Sequence, residues 1–190
     1  YVQSHDFIIL KSLSSQVTGI FFQANRISAI PANGVASAVS QALIGNSALR
    51  PRRAYALGFI LSLAMFLGVL WLSKSDSAVK HVPLVWHDML NILPALFLGR
   101  IFTVQAQLFS AELVSRHLDR YLFSVNLISS IAGILIIYFG IGVFTLVDTV
   151  IFTFVISFIL LFITNIILVG FDYVKTIFAC LSICLWVYQL

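Results

Sequence analysis

Charged side chains are what this chain has least of: lysine, arginine, aspartate and glutamate together make up 9% of its 190 residues. A soluble domain of this length can bury a core, but it needs far more polar surface than that to cover it. Cysteine is nearly absent, with two residues, Cys180 and Cys184, in an apolar stretch. Two thiols do not make a metal site, and at this spacing they read as small hydrophobes on one helix face. Catalytic signatures are missing too: there is no HExxH, no GxSxG and no phosphate-cradling glycine loop. The pairs His87-Asp88 and His117 with Asp119 lack the further ligands a metal centre needs. No enzyme, resident metal or cofactor is expected. A net charge of +4 comes without a basic face carrying interleaved aromatics, so nucleic acid is excluded as a partner.

What is present is hydrophobic residue, 61% of the chain, with a mean hydropathy of +1.05. The bilayer is therefore the solvent, and the fold class is an all-α polytopic membrane protein. Six spans are expected, at about 7–30, 32–49, 54–73, 84–114, 121–145 and 148–169. Pro31 is placed at the start of the second span and Pro94 is expected to break the fourth. The six spans form one bundle over residues 1–170, and 171–190 is a further apolar segment that is half-inserted or interfacial. Because the chain opens at Tyr1 without a cleavable signal ahead of its first apolar stretch, it reads as the interior of a longer polypeptide.

Loop charges give an orientation. Arg50, Arg52 and Arg53 lie in one short connection, and Arg116 and Arg120 in another two spans later. Basic loops stay on the cytoplasmic side, so the 50–53 and 115–120 loops are both expected inside. The 74–82 loop then lies outside, where Lys74 and Lys80 oppose the rule, and Trp71 and Trp86 share the outer interface. On this count both ends of the six-span unit are cytoplasmic.

Ionisable and strongly polar residues inside spans usually face a bundle interior or a wet cavity. In the first span Lys11, Ser15, Thr18 and Asn25 lie along one helical face, with Arg26 adjacent. Arg100, Thr103, Gln107 and Ser110 form a second stripe, and Thr149, Thr153, Ser157 and Thr164 a third. Three such stripes imply a hydrophilic cavity, with Asn25, Arg26, Arg100, Thr103 and Gln107 as candidate substrate-pathway residues. Gln105 points away from Gln107, so only one of the two can line that cavity. The hydroxyl stripes serve equally as hydrogen-bonding glue between helices. Glu112 is a candidate coupling residue; alternatively it caps its helix or pairs with Arg116 four residues on.

The run from Asn25 to Gly45, with Arg26, Pro31, Gly34, Ala38 and Gly45 at its key positions, resembles the first helix pair of a half of a multidrug and toxic compound extrusion (MATE) transporter. The resemblance covers the first third of the chain, and the rest is similar in hydropathy and topology. It implies half of a twelve-helix protein, the C-terminal half given the absent initiator methionine. The implied activity is secondary-active, cation-coupled alternating-access export of organic, cationic or amphiphilic compounds. H+ or Na+ would be the coupling ion and a bacterial inner (cytoplasmic) membrane the setting. The same superfamily contains flippases for lipid-linked polysaccharides or oligosaccharides, and cavity arginines suit such a phosphate-bearing cargo better than a cation. A membrane subunit that transports nothing is the remaining alternative. The expected partners are the bilayer, a small organic substrate or lipid-linked glycan, and the other six-helix half or a second copy.

Overall fold

The structure is a computed structural model that describes residues 15–45, 50–75, 79–80, 83, 86–140 and 143–189. It is all-α, with α1 Ser15–Gly45, α2 Pro51–Lys74, α3 His87–Ser115, α4 Asp119–Gly140, α5 Leu146–Val169 and α6 Tyr173–Gln189. The first five are long and apolar enough to cross a bilayer, which makes this an integral membrane protein.

The largest departure from expectation is α1. Where two spans were predicted on either side of Pro31, one helix of 31 residues runs through the proline. A proline inside a helix forfeits one backbone hydrogen bond, whereas ending the helix there would orphan up to four groups on each side. In hydrocarbon, where water cannot satisfy those groups, continuity is the cheaper solution. The same reasoning carries α3 unbroken through Pro94.

The buried face of α1 is built by Ala32, Ala36, Val39 and Leu43. Gly34, Ala38 and Gly45, the positions that carried the family resemblance, are exposed, and a Cβ added at Gly34 or Gly45 would meet nothing within 4 Å. Alanines, not glycines, bring this helix close to its neighbour. True backbone closeness occurs instead at Gly58 on α2, where an added Cβ would lie 2.6 Å from the Leu108 side chain of α3.

The axial helix is α3. It is buried on nearly every side, including Leu96, Ile101, Phe102, Leu108 and Leu113, and α1, α2 and α5 all pack on it. Such all-round burial is why its sequence shows no apolar stripe. α4 packs on α5, and α6 packs on α2 and α3. The tail is thus a proper bundle helix: Phe178 contacts Phe59 of α2 with centroids 5.0 Å apart, and Trp186 contacts Phe152 of α5 at 5.3 Å. Its 17 residues extend about 25 Å, close to the ~30 Å of a hydrocarbon core.

Among the described residues six helices form, but not the predicted six. The first two expected spans have fused, and the tail supplies the sixth helix. The basic connections still share one end of the bundle, because Arg52 bonds Asp172 at 2.8 Å and Lys175 bonds Glu112 at 2.6 Å. Fusing two spans puts the start of α1 at the opposite end, and the added tail helix, which starts at the basic end, runs α6 toward that opposite end too. The turn between α3 and α4 at the basic end closes with His117 at a φ of 59°, and the Leu118 N–H donates to the Leu113 carbonyl.

Candidate functional site

Near the midpoint of α3, Arg100 lies ~20 Å of helix from either end, too far for its side chain to reach an interface. It is 8% exposed. Its Nε donates to the Ser28 hydroxyl at 3.2 Å, and its terminal nitrogen donates to the Asn25 carbonyl at 3.1 Å and to the Asn25 side-chain oxygen. The guanidinium also sits 4.9 Å from the centre of the Phe154 ring. Gly99 makes this possible, since a Cβ there would come 2.9 Å from that ring. All of these partners are neutral: among the described residues no carboxylate reaches Arg100.

Arg100 opens onto a cavity of about 1000 Å³. α1 contributes Asn25, Arg26 and Asn33 to its wall, and α3 contributes Arg100, Thr103 and Gln107. All five predicted pathway residues thus come together in one space. Thr153 and Ser157 of α5 reach it as well, so members of all three polar stripes meet there, whereas Thr18 is outside the lining and Ser110 donates to the Ala106 carbonyl at 3.0 Å. Gln105, on the far side of α3, is buried with its amide donating to the Tyr55 carbonyl at 3.3 Å. Thr149 and Thr164 lie outside the lining and donate to the carbonyls of Thr145 and Leu160. Lys11 lies outside the described residues.

The fourth wall was missed in the sequence. α4 presents Asn126, Ser129, Ser130 and Gly133 to the cavity, a stripe at i, i+3, i+4 and i+7. Its other face, with Phe123, Leu127, Ile131 and Leu135 exposed, is suited to lipid. Short hydroxyls among so many large apolar residues gave too weak a pattern to be picked out, although the spacing was there to find.

Glu112 is not in the cavity lining. It is 1% exposed near the basic end of α3, where four helices meet. Lys175 of α6 bonds it at 2.6 Å, Arg116 at 3.1 Å and the Asn165 amide of α5 at 3.3 Å, and the Tyr55 hydroxyl of α2 donates to the same carboxylate. Lys175 in turn donates to the Asn165 side-chain oxygen at 2.7 Å. The expected pairing with Arg116 is present, inside a network that fastens α2, α3, α5 and α6 together. Neither α1 nor α4 takes part.

At the rim of the same end, Arg52 bonds Asp172 and lies 4.8 Å from the Tyr173 ring. Partial burial pushes the Asp172 carboxyl up, but hydrogen bonds from Arg52 and the Val174 N–H, with the Arg52 and Lys175 charges, outweigh it and hold the carboxyl below its ordinary value. A lowered folded value means stability that is present above the ordinary carboxylate range and is lost as pH falls through the lowered value. Melting temperatures measured between about pH 6 and pH 3 should show a shallower acid decline in Asp172→Asn than in the parent protein. Equal declines would show that this pair does not contribute.

Among the described residues no group of three His, Cys, Asp or Glu side chains could hold a metal ion. Cys180 and Cys184 are free and exposed on α6. No family model, curated protein or solved structure matches this chain.

Proposed function

We propose that this bundle is one unit of an alternating-access membrane transporter whose cavity receives an anionic amphiphile. The observation that carries the reading is the charge of the lining, which among the described residues holds Arg26 and Arg100 and no aspartate or glutamate. A guanidinium with neutral partners, deep between apolar helices, favours an anionic group and repels a cation. That argues against export of cationic compounds, the activity most directly implied by the MATE resemblance. It favours the flippase branch of the same superfamily, whose cargo is a phosphate-linked lipid carrying a glycan.

The cavity also argues for a second unit. Arg26, Asn33, Ser37 and Gln41 are exposed along α1, a costly arrangement against lipid. A second six-helix half or a second copy facing α1 would cover them and close the pathway, and two such units rocking about a shared cavity give alternating access. Coupling to H+ or Na+ is assigned to that second unit rather than to Glu112, whose oxygens are occupied by the fastener. By the positive-inside rule the 50–53 and 115–120 loops face the cytoplasm of a bacterial inner membrane.

The test is reconstitution of the full-length protein in liposomes with two fluorescent lipids of equal chain length, one phosphate-headed and one trimethylammonium-headed. Dithionite quenching of the outer leaflet reads their movement. Movement of the anionic lipid alone is the expected result. Movement of the cationic lipid alone would restore the cationic exporter, and movement of neither would favour the non-transporting subunit.

A further inference from the structure

The side of the bundle built by α2 and α6 contributes no residue to the cavity lining and has a chemistry of its own. On α2, Arg53, Leu57, Ile60, Leu61, Leu67 and Trp71 are exposed at i, i+4, i+7, i+8, i+14 and i+18, so one helical face runs from a guanidinium to an indole. Its two ends are about 27 Å apart, close to the ~30 Å of a hydrocarbon core. The three arginines at the basic end of α2 are not equivalent. Arg52 is occupied: Asp172 bonds it at 2.8 Å, and the Tyr173 ring lies 4.8 Å from its guanidinium. Arg50 and Arg53 are exposed, and among the described residues neither side chain has a hydrogen-bond, carboxylate or ring partner. The single acidic residue on α2, on α6 or in the turn before α6 is Asp172, and Arg52 neutralises it. Pro51 opens α2 between the two unpaired arginines, so the positive end of the helix dipole adds to their charge. Beside this face, Phe178 of α6 meets Phe59 of α2, with Ile177 and Leu181 exposed along the seam.

We infer that the basic end of this face is a docking site for one anionic phospholipid of the surrounding bilayer. Its phosphate is held by Arg50 and Arg53, and its acyl chains lie along Leu57, Ile60 and Leu61 beside the α6 seam. Charge and apolar surface select this occupant together. An acidic protein segment would meet the two guanidinium groups but not the apolar face that continues from them. A neutral lipid would fit the face and leave both cations without a counter-charge. The lipid is a resident partner rather than cargo, because it sits outside the bundle on helices that take no part in the cavity. The inference therefore stands apart from whatever Arg100 binds.

Native mass spectrometry of the full-length protein tests it, in detergent with equimolar dioleoyl phosphatidylglycerol and dioleoyl phosphatidylcholine. The first bound lipid should be phosphatidylglycerol in preference to phosphatidylcholine by about ten- to thirtyfold, the worth of two arginines facing one phosphate. In the double variant Arg50→Gln/Arg53→Gln that ratio should fall toward one. Both positions are exposed, so the variant should melt with the parent in phosphatidylcholine, whereas added phosphatidylglycerol should raise the melting temperature of the parent alone. Arg120→Gln, at the same end of the bundle but on α4, should keep the parental ratio. An unchanged ratio in the double variant would overturn the site. An equal fall in Arg120→Gln would overturn it in favour of diffuse attraction to the whole basic end. Glycerophosphoglycerol is the same headgroup without chains, and its displacing the lipid at equal concentration would show that a soluble phosphate ester is the occupant. Displacement by hexaglutamate at equal concentration would transfer the surface to an acidic protein partner.

Discussion

Glu112→Gln should destabilise the bundle by about 3–5 kcal/mol, the largest effect expected of any single substitution outside the apolar core. The reason is the partner left behind. Lys175 is 3% exposed, and Glu112 is its carboxylate. A neutral amide of the same shape keeps the packing but takes away the one carboxylate that bonds the ammonium among the described residues, leaving it in a low-dielectric interior among neutral oxygens and the Tyr55 ring. Lys175→Met should cost less, because the carboxylate keeps Arg116, Tyr55 and Asn165. The double variant should be more stable than the sum of the two losses, since it removes both charges at once. Thermal unfolding in detergent of the four proteins gives the cycle. Additive losses would mean that the two charges do not interact, and a parental melting temperature in Glu112→Gln would dismiss the fastener altogether.

Arg100→Gln carries the second large effect, and on activity rather than stability. Charge-assisted hydrogen bonds are worth about 1.5–3 kcal/mol, so losing the guanidinium should weaken anionic cargo binding by roughly ten- to hundredfold. Stability should change little, because Asn25 lines the cavity and Ser28 keeps its own bond to the Asn25 carbonyl at 2.9 Å. Arg100→Lys is the informative companion: it keeps the charge but not the planar fork that bonds Asn25 and Ser28 together. Partial recovery of binding in Arg100→Lys would assign the effect to charge. Transport of the phosphate-headed lipid at the parental rate in Arg100→Gln would remove Arg100 from the pathway.

Both substitutions touch residues that were visible in the sequence, for different reasons and with different success. Arg100 could be read because a cation in the middle of an uncharged run has few physical explanations, and the stripe through Thr103 and Gln107 gave its direction. Glu112 could be noticed but not interpreted. Its true partner is 63 residues away on a helix that looked like a loose tail, and only the pairing with Arg116 was local enough to foresee. The α4 wall had its spacing in the sequence, at Asn126, Ser129, Ser130 and Gly133, but small polar residues in an apolar helix are ordinary, and only packing shows which face they line. The two fused spans show the opposite failure. Pro31 is a strong local signal for a boundary in water, and in the bilayer the cost of unsatisfied backbone overrides it.

Composition and period were enough to establish a membrane-embedded all-α chain, four apolar spans between Pro51 and Val169, the end at which the arginines gather and parts of the stripes that become cavity wall. These are properties of single segments set against a uniform solvent, and a segment carries them wherever it goes. The count and parity of crossings, the fourth cavity wall, the separation of Glu112 from the cavity and the fastening of α6 were decided by the tertiary structure. Each depends on which helices lie side by side. Inside a bilayer that choice is made by packing and by the pairing of a few buried polar groups, because lipid is as apolar as the helices and gives their order no hydrophobic preference.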